Sequence, residues 1–225
     1  MLFLRSNFNR SALVRQFAGW LPAPVEAPRQ DLAERLGQWL NVADAIALHS
    51  AHQTLPAVAR AKRLAVPAAA HAVQAELERV RATLSQAITH PPGEPGDEST
   101  DDAEAGFAPH HQRCQEQQRR MEMSIDALRS HARKTLSQTS PRLAQLAALD
   151  AALDPMLGGR EQKLLSTVPA FLKARFDQLR QTRPDGWQPL FEHDLQQALL
   201  AELDLRLQPV IGMLEALSHE VKQQP

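Results

Sequence analysis

The sequence is poor in cysteine, glycine and aromatic residues, and these shortages exclude several kinds of site. Cys114 is the only cysteine among 225 residues, so neither an intrachain disulfide nor a cysteine metal cage can form. The chain has 9 glycines, 7 Phe, 3 Trp and no Tyr. It contains no glycine-rich phosphate loop, dinucleotide fingerprint or nucleophile elbow. The single cysteine fits a reducing, cytoplasmic compartment.

The chain also lacks a long apolar run and an excess of either charge. Its longest segment without Asp, Glu, Lys or Arg is Ala45–Ala59, which is 15 residues long, whereas a transmembrane helix needs about 20 apolar residues. The 25 basic and 26 acidic residues give a net charge of −1, unlike proteins that coat nucleic acid or anionic lipid. Residues 1–25 carry three arginines and no acid, which fits either a surface helix or a targeting segment.

Helix-forming residues dominate what is present. Ala, Leu, Gln and Arg are abundant, β-branched residues are few, and no alternating strand pattern occurs. We therefore predict an all-α fold, an elongated bundle of coiled-coil-like helices in two parts. The 16 prolines mark most joints. Apolar residues at spacings of three and four predict helices over 11–21, 29–53, 67–89, 109–138, 141–157, 160–180 and 189–208.

Several helix breakers are expected to shape these helices. Pro56 should end the second helix, whose apolar stripe includes Ile46, and Asn41 should kink it. Asp154-Pro155 and Gly158-Gly159 should break or bend the leucine-rich helix that follows Ser140. Pro169 should bend the next helix, and Pro209 should kink the last one, whose apolar stripe continues to Leu217.

The segment 91–106 divides the chain by composition. It holds six acids, no bases, three prolines and three glycines, so it has little apolar surface to bury and is predicted to be a disordered linker. The predicted organisation is an N-terminal helical region over 1–90, the acidic linker over 91–106, and a C-terminal long-helix region over 107–225.

Histidine and cysteine offer few convincing reaction centres. His49 and His52 share a helical face, but two ligands are fewer than the three or four of a metal site. The neighbours His110 and His111 point about 100° apart on a helix, and the consecutive residues 192–194 (Glu-His-Asp) do not converge. Cys114 has basic neighbours that would lower its thiol pKa, although packing in an apolar seam is the favoured interpretation. We predict no catalytic residue, metal or cofactor.

A basic stretch offers one further alternative, which is nucleic-acid binding. It has no interleaved aromatic residues for stacking on bases, so a solvated helix face is the favoured interpretation. Its basic residues are Arg113, Arg119, Arg120, Arg129, Arg133, Lys134 and Arg142.

Several extended strings of the sequence carry a resemblance to a known family. They are Leu32–Leu40, Asp44–Leu48, Phe107–Pro109, Ser140–Asp150, Leu164–Pro169 and, most strongly, Leu199–Pro209. These strings resemble an uncharacterised proteobacterial family, catalogued as domain of unknown function 3348. The resemblance implies a bacterial, helical, cytosolic protein with no catalytic residues to transfer, and it suggests an accessory component of an envelope-associated assembly. The proline and glycines at 155 and 158–159 depart from the family pattern.

The sequence thus favours a non-enzymatic helical interaction or scaffold protein. Its leucine seams would pair between copies of the chain or dock on a partner's helices, and it would be cytoplasmic or reach the inner membrane through a partner. A cytosolic enzyme with a histidine-based site and a weak nucleic-acid-binding protein are the alternatives. The expected buried anchors, in the core or at an interface, are Trp39, Leu40, Leu199, Leu203 and Leu207.

Overall fold

The computed structural model describes residues 11–21, 32–58, 66–90, 103–183 and 185–223. Every regular element in these ranges is an α-helix and none is a strand, which confirms the predicted all-α class. The elongated, coiled-coil form stays a prediction. The helices are α1 (Ala12–Trp20), α2 (Leu32–Trp39), α3 (Val42–Val58), α4 (Val66–Thr89), α5 (Ala103–Ser137), α6 (Pro141–Leu165), α7 (Val168–Thr182) and α8 (Trp187–Gln223).

The chain forms two compact units, and each combines residues from both sides of the acidic segment. Unit 1 consists of Met1–Ala27, Arg81–Met123 and Lys163–Arg206. Unit 2 consists of Pro28–Val80, Ser124–Gln162 and Leu207–Pro225. Helices α4, α5, α6 and α8 contribute residues to both. The division into residues 1–90, 91–106 and 107–225 stays a prediction.

The core of unit 1 is rich in aromatic rings. Phe176 of α7 lies at its centre, with ring centroids 5.5 Å from Phe107, 5.1 Å from Phe191 and 4.8 Å from Trp187. The contacts with Phe107, Phe191 and Trp187 are edge-on, an arrangement that aromatic pairs favour. The aliphatic residues of this core include Leu84, Ile88, Met121, Leu172, Leu179, Leu195, Leu199 and Leu203.

The core of unit 2 is aliphatic and follows the predicted seams. The seam residues of α5 that lie in this unit are buried, as the spacing of three and four predicts. In the part of α6 that belongs to unit 2, the buried positions are Leu143 and two alanines, while the later seam leucines are only partly buried. The buried residues of this unit include Val73, Leu77, Ile125, Leu128, Ala132, Leu136, Leu143, Ala144, Ala147, Leu207, Val210, Met213 and Leu217.

The predicted helix over 29–53 is two helices. After α2 ends at Trp39, α3 begins with a reciprocal cap: the Asp44 amide donates to Asn41 Oδ1 at 2.9 Å, and the Asn41 amide donates to Asp44 Oδ2 at 3.0 Å. Because this cap satisfies two amides that lack helical partners, it starts a new helix. The expected end at Pro56 is wrong, since α3 extends to Val58.

Other proline predictions also need correction. Helix α6 runs without a break through Pro155 and both glycines. Because proline has no backbone amide, the carbonyl of Ala151 receives no helical hydrogen bond from Pro155. Both residues are exposed, so water can hydrogen-bond to that carbonyl instead. Near Pro169 the chain does not bend within one helix, as expected, but passes from α6 to α7. The proline lies in the first turn of α7, where the missing amide costs nothing because it would have no helical partner.

The predicted linker overlaps the start of α5. Its first twelve residues, 91–102, lie outside the described residues, so their disorder stays a prediction. Residues 103–106 are the first turn of α5, and Pro109 lies inside the helix rather than at its start. Phe107, buried against the aromatic core, anchors this early turn.

Two leucines of α8, two positions apart, show which side of this helix is internal. Leu203 is 1% exposed, whereas Leu205 is 37% exposed. Leu203→Ala should lower the free energy of unfolding by about 2–5 kcal/mol because it leaves a cavity in the core. Leu205→Ala should lower it by about 1 kcal/mol or less, since the side chain is already partly in water.

Urea unfolding followed by circular dichroism checks this pair of variants. Equal losses of unfolding free energy in the two variants would contradict the assignment of Leu203 to the core.

Candidate interaction surface

The three predicted anchors of α8 lie inside the chain's own cores. Leu199 and Leu203 are buried in unit 1, and Leu207 is buried in unit 2. Trp39 and Leu40, at the end of α2, are only partly buried, and the Trp39 carbonyl accepts a hydrogen bond from Arg160. The leucine seam of α8 is therefore occupied by internal packing, so a partner surface has to be sought elsewhere.

A buried carboxylate, which the sequence analysis did not identify, lies next to this seam. Glu202 is 0% exposed and accepts hydrogen bonds from Gln118 Nε2 at 2.9 Å and Arg206 Nε at 2.9 Å. Gln118 also donates to the Leu165 carbonyl at 3.0 Å. Since a buried charge is costly unless it is paired, these bonds hold α5, α6 and α8 in one arrangement. The i, i+4 pair of Glu202 and Arg206 was the available sequence signal.

Cys114 lies in the seam of α5 and is not an activated thiol. Burial raises its pKa to about 12, and the Glu202 charge contributes in the same direction, while Arg113 opposes the rise. Arg113 lowers this pKa, as expected, but the net shift is upward because desolvation of the thiolate is the larger effect. Cys114 acts as a small apolar core residue, which was the favoured interpretation.

His110 packs into the aromatic core of unit 1. Its ring centroid is 5.0 Å from that of Phe191 and 5.9 Å from that of Phe176. Burial lowers the pKa of His110; the charge of Glu192 opposes this shift and that of Arg113 supports it. The neutral imidazole is thus the form that fits the folded core.

The triplet at 192–194 does not form one site. Glu192 accepts from Arg113 Nη1 at 2.8 Å, whereas Asp194 accepts from Arg175 Nε at 2.7 Å. His193 lies in an open depression of about 390 Å³ in unit 1. Because both acids already serve as ion-pair partners, neither is placed to act on the His193 ring as part of a catalytic pair. The residues lining the depression are Ala12, Gln16, His193, Asp194, Gln197, Leu200, Ala201 and Asp204.

The basic stretch is partly neutralised by acids of the same chain. In unit 2, Arg129 and Arg133 both bond Asp150 and Asp154 at 2.5–3.0 Å. Burial alone would raise the pKa of Asp150, but hydrogen bonds from the two arginines lower it below its usual range. Arginines held in this network, like Arg113 with Glu192, are not presented to phosphates. The remaining basic residues, Arg119, Arg120, Lys134 and Arg142, are exposed.

Among the described residues, helix α3 packs on the rest of unit 2 along one face. Its positions 44, 48, 51 and 55 follow spacings of four, three and four, so they lie on one side of the helix. Leu55 is buried and its carbonyl accepts a hydrogen bond from Gln145 Nε2 at 3.2 Å. Leu48 and Ala51 are half-buried. This side packs on the unit.

The opposite side of α3 is exposed and carries no charge. We define the outer face of α3 as Val42, Ile46, His49 and Gln53. Each of these residues lies two positions before a residue of the packed side, which places it about 200° around the helix. Val42 is 77% exposed and Ile46 is 65% exposed, although Ile46 was expected to face inward. His49 and Gln53 are exposed, with His49 Nε2 2.8 Å from Gln53 Nε2.

The described part of the chain holds no group of three or more His, Cys, Asp or Glu side chains placed to bind a metal ion. None of its helices combines the length and apolar character needed to cross a bilayer.

Comparison with known proteins gives one match. A family model described as "Protein of unknown function (DUF3348)" matches residues 3–219. No curated protein and no solved structure matches the chain.

The half-buried His110 predicts how stability depends on pH. Its folded-state pKa is lowered from 6.5, so below about pH 6.5 the unfolded chain binds the proton first and stability falls as pH falls. His110→Gln should reduce this loss between pH 7 and pH 5 in urea unfolding experiments. His71→Gln, at an exposed position of α4, is the matched control. An identical pH profile for the wild type and His110→Gln would contradict the prediction.

Proposed function

The chain belongs to the DUF3348 family, and we propose that it is a non-enzymatic helical interaction module whose binding surface is the outer face of α3. The observation that carries the proposal is the exposure of Val42 and Ile46 on the uncharged side of this helix. Burying such a branched side chain is worth about 1.5–3 kcal/mol. Single exposed apolar residues are ordinary, but aligned ones with exposed alanines beside them form a continuous apolar strip.

The neighbouring alanines extend this strip. Ala43 and Ala45 flank the outer face and are exposed, and their small side chains let a second helix approach closely. The one acid of α3, Asp44, is engaged in the cap with Asn41. The contact surface that remains is apolar at its start and neutral and polar at its end.

A second copy of the chain is the occupant that this surface fits best. Since the outer face carries no formal charge, two identical faces meet without like-charge repulsion, which would otherwise cost free energy. The imidazole and amide groups of His49 and Gln53 each both donate and accept hydrogen bonds, so they complement their own counterparts. A two-fold axis parallel to the helices places each outer-face residue opposite the same residue of the second copy.

The spacing along the outer face agrees with such a pairing. Val42, Ile46, His49 and Gln53 are separated by four, three and four residues, which is the alternation of the two seam positions in a parallel coiled coil. Two apolar layers would then be followed by two polar ones. Polar seam residues lower stability but fix the register and the number of strands.

The size of α3 sets the expected strength. Its 17 residues span about 25 Å, and one face of such a helix is smaller than the roughly 800 Å² per partner of a standard stable interface. The pairing should therefore be weak and depend on protein concentration. The cytoplasmic location and attachment to an envelope-associated assembly stay predictions.

Charge placed on the outer face tests the proposal. Ile46→Asp should abolish self-association because pairing would bury two carboxylates against each other. Because Ile46 is largely exposed, the variant should keep its helical circular dichroism. Sedimentation velocity over rising concentrations should show wild-type dimerisation and a monomeric Ile46→Asp variant.

Met123→Asp is the matched control, since Met123 is 70% exposed and belongs to α5 rather than to α3. It should dimerise like the wild type. A wild-type chain that stays monomeric at all concentrations, or equal loss in both variants, would contradict pairing through α3.

A further inference from the structure

We infer that the paired α3 helices form a binding site for a divalent transition metal ion such as Zn²⁺, with His49 and His52 of each copy as ligands. This inference rests on the proposed self-pairing, because α3 of one chain supplies only two imidazoles. It assigns a chemistry to the polar end of the outer face, which apolar contact alone does not explain.

The placement of the two histidines supports this assignment. His49 and His52 are three positions apart, so their side chains are neighbours on the helix surface, and both are exposed. His49 lies on the outer face and His52 lies at its edge, about 60° further round the helix. Two ligands from one helix thus stand beside the strip that is proposed to meet the second copy.

The count of ligands explains why the site needs two copies. Zinc takes four ligands in structural sites, and imidazole nitrogen is among those it binds. The described residues of one chain bring no group of three such ligands together. Two copies related by a two-fold axis supply four imidazoles, which is the number the ion requires.

The residues around the pair in sequence do not compete with it for a metal ion. The run Ala45–Ala59 has no Lys or Arg and no Asp or Glu, so within it no cation repels the metal and no carboxylate competes for it. Gln53 Nε2 lies 2.8 Å from His49 Nε2, a contact that holds the ring when that nitrogen acts as an acceptor. A bound metal ion would take the place of this amide.

Energetics give the metal a distinct role. Since one face of α3 is small for a stable interface, a metal ion that binds only the pair shifts the equilibrium toward it by mass action. At a free Zn²⁺ concentration ten times its dissociation constant, the dimer dissociation constant should fall about tenfold.

Sedimentation velocity of tag-free protein at pH 7.5, in Zn²⁺ or in EDTA, tests the inference. Zn²⁺ should tighten self-association of the wild type, and His49→Ala and His52→Ala should each remove most of that effect. His71→Ala, at an exposed histidine of α4, should respond like the wild type. Visible absorption of added Co²⁺ should give the intense bands of four-coordinate cobalt only where both His49 and His52 are present.

The outcomes separate the two proposals. Self-association in EDTA that Zn²⁺ leaves unchanged would overturn the metal site but leave pairing through α3 in place. A zinc effect equal in His49→Ala, His52→Ala and His71→Ala would also overturn the site. A wild type that is monomeric with and without Zn²⁺ would overturn both proposals, whereas a zinc effect confined to the wild type and His71→Ala supports both.

Discussion

Burial of the apolar side of α8 is the constraint on which each unit depends. In unit 1 this side includes Phe191, Leu195, Leu199 and Leu203, and in unit 2 it continues from Leu207 to Leu217. These side chains are almost fully removed from water, which makes them a major source of hydrophobic stabilisation. Because they are used inside the chain, they cannot also serve as a docking surface. The exposed apolar residues of α3 are therefore the better candidates for the functional surface.

Buried and half-buried polar groups restrict how the helices of each unit pack. The Glu202 carboxylate in unit 1 and the paired arginines and aspartates in unit 2 have hydrogen-bond partners within their own units. Such groups add little net stability but penalise any arrangement that leaves them unpaired. They are consistent with a structural role, and their engagement in these bonds argues against their use as catalytic acids or bases.

Apolar spacing in the sequence predicted the helices and most of the core, since a periodic stripe on α5 or α8 has to be buried somewhere. It did not predict the side of α3 that packs, because that helix is apolar nearly all round and Ile46 and Leu48 are equally good core residues. The effect of Pro155 depended on solvent access to the carbonyl of Ala151, which only tertiary structure supplies. Glu202 was missed because its partner Gln118 lies 84 positions away in sequence.

Thiol labelling of Ile46→Cys in dilute protein is the most direct measurement of which apolar residues are internal. The variant keeps Cys114, which lies in the seam of α5 with its pKa raised to about 12. If the outer face of α3 is exposed and Cys114 is buried, the native variant takes up one label per chain, at residue 46. The unfolded variant, in which both thiols are accessible, takes up two. A native variant that takes up none would place Ile46 in the core and contradict the proposed binding surface.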